Sequence, residues 1–211
     1  MYITYTGRYS IMWKLPSIVL GSALMMAACG GAADEEKEKE PVNGSGDPVV
    51  EEETTAEPEV MAPVINVDGE EIGSITLTQG PSGVAMDVDV SGLEPGEHGM
   101  HFHETGVCTA PDFKASAGGH FNPTDKKHGL NNPEGHHAGD LENLVADEDG
   151  NAKVTVTTDE VTLESGKDNS LLDEDGTALV IHEGPDDNIT DPAGNSGAPF
   201  ACAEITSESM K

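Results

Sequence analysis

Short runs of β-branched residues, each closed by turn-forming residues, dominate this chain from about Val64 to Ile205. Four of these runs are GSITLTQ, GVAMDVDVSGL, AKVTVTT and TALVIH, and Gly, Asp, Asn or Pro punctuate them. Such runs are typical of β-strands, because β-branched side chains pack well on a pleated surface. No stretch shows the 3.6-residue spacing of an amphipathic helix. The sequence therefore predicts an all-β fold, a sandwich or barrel of short antiparallel strands.

Two long segments interrupt this pattern. The segment between Cys108 and Leu144 is rich in Gly, Asn, Pro and His, and a second one runs from Glu183 to Phe200. Loops of this length without regular structure are uncommon in compact domains unless they serve a function. We therefore expect both loops to take part in a functional site.

The N-terminal part of the chain predicts export. MWKLPSIVLGSALMMAACGG contains a lysine, an apolar run and small residues before Cys29. The apolar run is short for a membrane span and has the layout of a signal peptide. MMAAC resembles a bacterial lipobox, so we expect removal of residues 1–28 and lipidation of Cys29. An ordinary secretory signal with an incidental Cys29 is the alternative, and Met12 is an alternative start.

The residues after the predicted lipobox indicate a tether. Residues 29–62 consist mainly of Glu, Lys, Pro, Gly and Thr, with almost no large apolar side chain. This composition is typical of a disordered, self-repelling segment. The folded domain is then expected over residues 63–211. The predicted location is outside the cytoplasm, with the lipid in a bacterial membrane on its periplasmic or cell-surface side.

The acidic composition argues against two classes of partner. The chain has 10 Lys+Arg and 40 Asp+Glu, a formal net charge of −30. Neither nucleic acid nor an anionic membrane surface attracts such a chain electrostatically.

Lipidation of Cys29 would leave Cys108 and Cys202 as a pair, and a pair of cysteines outside the cytoplasm favours a disulfide.

Histidines and one aspartate form the clearest candidate site. GMHFHETGVC places His101 and His103 two residues apart, which on a strand puts both imidazoles on one face. This pair alone is weak evidence, because solvated strand faces often carry such residues. Further candidates are His120, His128, His137 and Asp140 in the first long loop, and His182 at the end of TALVIH.

The side-chain chemistry divides these residues into two sets that share His120. Three imidazoles and one carboxylate suit a tetrahedral zinc ion, and four imidazole nitrogens suit Cu(II). The predicted zinc ligands are His120, His128, His137 and Asp140. The predicted copper ligands are His101, His103, His120 and His182.

At this point the chain resembles a known family. GMHFHETGVC, GGHFNP, KKHG, HAGDL, LVIHE and GNSGAPFAC are similar to motifs of the bacterial secreted copper/zinc superoxide dismutases, and they cover nearly all of Val64 to Ile205. The resemblance implies a Greek-key antiparallel β-barrel or sandwich of about eight strands, with two long loops forming the metal site. It also implies an enzyme that converts superoxide to dioxygen and hydrogen peroxide by alternate reduction and reoxidation of copper.

The resemblance assigns further roles. It makes His120 the imidazolate that bridges both metals and takes part in catalysis, and Asp186 the carboxylate that hydrogen-bonds ligands of both metals. It pairs Cys108 with Cys202 in a disulfide and makes His98 a structural histidine. It allows a homodimer as well as a monomer.

One position departs from the family pattern. Where the family has an arginine that docks the superoxide anion beside copper, GNSGAPFAC has Pro199. Proline offers no side-chain donor, so we expect reduced anion guidance, compensated in part by Lys114, Lys126 and Lys127. The alternative function is a non-catalytic copper/zinc-binding module on the same fold, such as a copper carrier or buffer.

Overall fold

Nine strands and one short helix make up the described part of the chain. The computed structural model describes residues 58–211, so the predicted signal peptide, the lipobox and nearly all of the tether lie outside the described residues. The strands are β1 (Glu59–Asn66), β2 (Glu71–Gly80), β3 (Gly83–Val90), β4 (Gly96–His98), β5 (Met100–His103), β6 (Leu144–Ala146), β7 (Ala152–Thr158), β8 (Thr177–His182) and β9 (Pro199–Ile205). Helix α1 (Phe113–Ala117) lies in the first long loop.

Seven of the strands form one curled antiparallel sheet. Its order is β5-β8-β9-β1-β2-β3-β7, and β4 pairs with β6 in a second, two-stranded sheet. Only Gly99 separates β4 from β5, while β6 leads through a turn into β7. The small sheet therefore connects the two edge strands of the large one. The all-β prediction is confirmed, with nine strands in place of about eight.

Alternation along the strands explains which face is buried. In β3, Val84, Met86 and Val88 are buried, while Asp87 and Asp89 are exposed. Strand side chains point to opposite faces in turn, so this pattern directs one face of the sheet to the core and the other to solvent. β5 and β8 are buried on both faces, because the long loops cover the face opposite the core.

The structure also shows elements that the sequence patterns did not indicate. β1 begins at Glu59, so residues 59–62 belong to the sheet and not to the tether assigned to 29–62. α1 is only five residues long, too short for a periodic pattern, and begins after Asp112, whose side chain accepts a hydrogen bond from the Ala115 amide. Its buried Phe113 and Ala117 pack beside the outer face of β8.

A disulfide fixes the first long loop to the last strand. Cys108 and Cys202 are bonded, with Cα atoms 5.8 Å apart and a separation of 94 positions in sequence. The predicted pairing is confirmed. Closing a loop of this length restricts the unfolded chain and contributes on the order of 4 kcal/mol in the chain-entropy description.

Within residues 58–211, no helix is long and apolar enough to cross a membrane.

Candidate metal centre

Two adjacent strands bring three of the histidines together. β5 pairs antiparallel with β8, with His101 opposite Val180 and His103 opposite Ala178. His182, on the same face of β8, lies where the pairing with β9 shifts register. His120 joins them from the loop through a bridge to His103. One ligand atom from each of His101, His103, His120 and His182 lies within 4.8 Å of the others.

Four buried nitrogens in this group have no hydrogen-bond partner. They are His101 Nδ1, His103 Nε2, His120 Nε2 and His182 Nε2. In His103 and His182 the other ring nitrogen, Nδ1, donates to the carbonyls of Gly118 (2.9 Å) and Gly197 (3.1 Å). These bonds fix the tautomer and leave a bare lone pair on each Nε2. Burying unpaired polar atoms is unfavourable, and four that converge fit a copper ion.

The electrostatic environment keeps these imidazoles neutral. Burial lowers the pKa of His101 to about 3, although the hydrogen bond that His101 donates to Asp186 opposes the shift. Burial and the neighbouring His120 lower the pKa of His103 to about 2, and burial lowers that of His182 to about 4. Their lone pairs are therefore free to bind a metal at neutral pH without first losing a proton.

The second set of ligands surrounds one oxygen of Asp140. Its Oδ1 lies 2.9 Å from His120 Nδ1, 3.1 Å from His128 Nδ1 and 3.2 Å from His137 Nδ1. His137 Nδ1 is 3.4 Å from His120 Nδ1. Four donors bound at 2.0–2.1 Å to a tetrahedral zinc would lie about 3.3 Å apart. The spacing and the ligand types therefore both fit zinc.

His101 also has a ligand atom within 4.8 Å of those of His120, His128 and Asp140. Its Nε2, however, is occupied by the hydrogen bond to Asp186, and its unpartnered Nδ1 belongs with the other three bare nitrogens. We therefore place His101 in the copper set and His137 in the zinc set. The geometry thus brings all seven predicted ligands together, and their division into a copper set and a zinc set stays a prediction.

Charge in the zinc set depends on Asp140 and on the neighbouring carboxylate of Asp186. Burial raises the pKa of Asp140, but hydrogen bonds from His120, His128 and His137 lower it more strongly, to well below its usual range. Burial alone would lower the pKa of His128, and the bonds to Asp140 and Asp186 outweigh it, raising the pKa to about 9. A zinc ion would take the place of that proton on His128 Nδ1.

Asp186 links the two sets, as its predicted role requires. Its carboxylate accepts a hydrogen bond from His101 Nε2 at 2.5 Å and lies 3.1 Å from His128 Nε2. Burial raises its pKa, but the bonds from both histidines outweigh this and hold it well below its usual range. Outer partners of this kind fix the orientation and tautomer of ligating imidazoles.

Several residues around Asp186 receive no role from the sequence patterns. The Asn143 side chain hydrogen-bonds both the amide and the carbonyl of Asp186. The Asn188 amide donates to Asp186 Oδ1 at 2.6 Å. Gly194 packs so closely that a Cβ added to it would overlap the Asp186 carboxylate. Asn143 is 43 positions from Asp186 in sequence, whereas Asn188 and Gly194 belong to the same loop as Asp186, and no sequence pattern indicates the contact that each makes.

His98 lies beside the site but outside both sets. Its ring nitrogens lie 2.7 Å from the carbonyl of His182 and 2.7 Å from the carbonyl of Glu94. With both nitrogens facing backbone carbonyls, neither is available to a metal. This geometry agrees with a structural role in which His98 holds the end of β8 against β4.

Comparison with known proteins places the chain in a family. A family model described as copper/zinc superoxide dismutase (SODC) matches residues 71–205. The chain belongs to the copper/zinc superoxide dismutase family. Superoxide dismutase [Cu-Zn] 1 of Aquifex aeolicus is 54% identical over 145 residues, covering 68% of this chain and 85% of the relative. The superoxide dismutase-like protein YojM of Bacillus subtilis is 38% identical over 202 residues, covering 95% and 100%.

Solved structures agree with this family assignment. A SOD-like protein from Bacillus subtilis superposes with a TM-score of 0.66 at 40% identity, over 69% of this chain and 97% of that one. The Cu/Zn superoxide dismutase from Brucella abortus gives a TM-score of 0.57 at 30% identity, over 70% and 99%. Membership in the copper/zinc superoxide dismutase family confirms the fold, the enzyme class and the copper and zinc cofactors.

In this copper/zinc superoxide dismutase, one cavity gives access to the histidines. It has a volume of about 470 Å³ and reaches His103, His120 and His182. Lys114 is the one lysine or arginine among the described residues that line it, and Glu104 and Asp125 line it too. The other two lysines expected to compensate, Lys126 and Lys127, do not line the cavity. Lys127 also forms an ion pair with Asp191 at 3.0 Å.

Proposed function

We propose that this protein dismutates superoxide at a centre whose copper ligands are His101, His103, His120 and His182 and whose zinc ligands are His120, His128, His137 and Asp140. The observation that carries the proposal is the convergence of four buried, unpartnered imidazole nitrogens, three of which belong to histidines that line an open cavity. Copper supplies one-electron redox chemistry there, and zinc supplies a fixed positive charge.

The residues of the chain supply binding and protons. In the net reaction, one superoxide gives up an electron and leaves as dioxygen, and a second takes that electron and two protons to become hydrogen peroxide. His120 is the one imidazole common to both sets, and it lines the cavity. Its Nε2 can therefore hold a proton where the second superoxide arrives. Asp186 keeps His101 and His128 oriented throughout.

We further propose that anion guidance in this enzyme is weak. Pro199 lines the cavity where the family resemblance implies an arginine, and the remaining wall offers Lys114 against Glu104 and Asp125. A positive funnel raises anion association by about 10–10³-fold, and it is largely lacking here. The expected rate is therefore below the near-diffusional values of this enzyme class.

The same observation favours a second candidate function. A cavity wall poor in positive charge suits a copper carrier or buffer, which has to hold the metal without attracting an anionic substrate. The decisive experiment measures superoxide dismutation by metal-analysed protein with one copper and one zinc per chain. Catalysis well above a free-copper background supports the enzyme. Fully loaded protein with no activity above that background would leave only metal binding.

For location, we propose attachment to a bacterial membrane through a lipid on Cys29, outside the cytoplasm. The MMAAC motif and the acidic segment after it support this proposal. Expression of the full chain with labelled fatty acid tests it. The label should enter wild-type protein and be absent from a Cys29→Ser variant.

A further inference from the structure

Asn143 makes a two-bond contact with the backbone of Asp186. Its Nδ2 donates to the Asp186 carbonyl at 3.0 Å, and its Oδ1 accepts from the Asp186 amide at 2.9 Å. An asparagine side chain can donate and accept at once, so this pairing resembles one rung of a β-ladder. The two bonds fix both the position of Asp186 and the direction of its peptide groups.

The backbone of Asp186 depends on such a contact. Asp186 lies in the long loop between β8 and β9, outside any strand. Asn143, in contrast, directly precedes β6, whose first residue Leu144 is buried and pairs with His98 of β4. The contact therefore transfers the rigidity of the small sheet to a loop residue 43 positions away in sequence.

We infer that Asn143 is a positioning residue of the metal centre. It holds the Asp186 backbone so that the carboxylate meets His101 Nε2 and His128 Nε2, and thereby aims His101 Nδ1 at the copper set and His128 Nδ1 at the zinc set. The inference rests on the proposed ligand sets and adds to them a residue that touches neither metal nor substrate.

The chain contains a matched control for this contact. Asn122 makes the same two bonds to the backbone of Lys126, with Nδ2 donating to the carbonyl at 2.9 Å and Oδ1 accepting from the amide at 2.9 Å. Lys126 contacts no ligand of either set in the described residues. An Asn122→Ala variant therefore loses an equivalent loop contact without disturbing Asp186.

The experiment measures the zinc affinity of the full chain by competition with chelators of graded strength, together with the electron paramagnetic resonance spectrum of bound Cu(II). Loss of an outer partner typically weakens metal affinity about 10–100-fold. We expect Asn143→Ala to weaken zinc binding about 10-fold and to alter the copper spectrum. Asn143→Asp, which keeps the acceptor but loses the donor, should give a smaller loss. Asn122→Ala should match wild type in both readouts.

A double-mutant comparison separates positioning from simple loop stabilisation. In an Asp186→Asn background, Asn143→Ala should weaken zinc binding much less than it does in wild type, because the carboxylate that it positions is already gone. Equal effects in both backgrounds, or wild-type zinc affinity and copper spectrum in Asn143→Ala, would overturn the inference. Failure of wild-type protein itself to bind zinc would instead contradict the proposed function.

Discussion

At the scale of single residues, Pro199 stands where the motif resemblance predicts an arginine. It lines the cavity and begins β9. A Pro199→Arg substitution adds a donor and a positive charge near His103 and His182. We expect kcat/KM for superoxide to rise about 10-fold at low ionic strength, with a steeper decline as salt is added.

The control for this substitution is Pro123→Arg. Pro123 is exposed and lies outside the cavity, so the variant changes the net charge equally without placing the charge near the histidines. Stopped-flow dismutation at several ionic strengths distinguishes the two variants. Equal rates for both arginine variants would contradict a local effect at position 199.

Lys114 provides the complementary residue-scale prediction. It is the lone lysine or arginine of the described cavity wall, so Lys114→Gln removes the positive charge that remains. We expect kcat/KM to fall about 3-fold at low ionic strength and the difference to shrink in high salt, where the Debye length is only a few ångströms. Lys126→Gln, a change of the same charge outside the cavity, should leave the rate near wild type.

At the scale of elements, the loop between β8 and β9 depends on Gly194. Its φ is +61°, and a Cβ there would overlap the carboxylate of Asp186. Gly194→Ala should therefore destabilise the domain by about 2–4 kcal/mol and weaken binding of both metals. Gly166 has a similar φ of +77° with nothing near its Cβ position, so Gly166→Ala should cost only about 1 kcal/mol of backbone strain. Thermal unfolding and metal analysis of both variants provide the test.

The elements also show how much of the fold the sequence could predict. β3, β7 and β8 carry unbroken β-branched patterns and were predicted close to their bounds. β1 and β9 were not, because β1 follows an acidic stretch and contains Pro63, while β9 begins with Pro199 and is mainly small residues. β1 and β9 are strands because they pair with neighbouring strands of the sheet, and the β-propensity of their own residues does not predict this pairing.

The candidate site was more predictable than the strands around it. Histidines and an aspartate in recognisable motifs indicated both ligand sets. Metal binding is the function that best accounts for so many histidines in these motifs of one chain. Asn143 and Gly194 were missed for a different reason. Each acts by a contact with Asp186 that exists only in the folded chain. Asn143 reaches Asp186 from a different loop, and Gly194 packs against it within the same loop.

At the scale of the whole molecule, the buried histidines should make the stability of the metal-free protein depend on pH. The pKa values of His101, His103 and His182 are lowered from 6.5 to about 3, 2 and 4. Below pH 6.5 these histidines therefore bind protons in the unfolded chain but not in the folded protein. Linkage then requires the free energy of unfolding to fall as pH falls, by at least about 2 kcal/mol between pH 6.5 and 5.

His128 should produce the opposite slope above pH 6.5. Its pKa is raised to about 9 by Asp140 and Asp186, so its contribution is full below pH 6.5 and is lost as pH rises through 9. The metal-free protein should therefore unfold at its highest temperature near pH 6.5, and His128→Gln should flatten the decline on the alkaline side. In protein loaded with copper and zinc the alkaline decline should disappear, because zinc replaces the proton on His128, whereas the acid decline should persist, because the histidines of the unfolded chain still take up protons. Calorimetry of both forms from pH 5 to 9 measures these slopes in the unfolding temperature. A metal-free protein that became more stable on acidification would contradict the presence of buried, neutral imidazoles in the copper set.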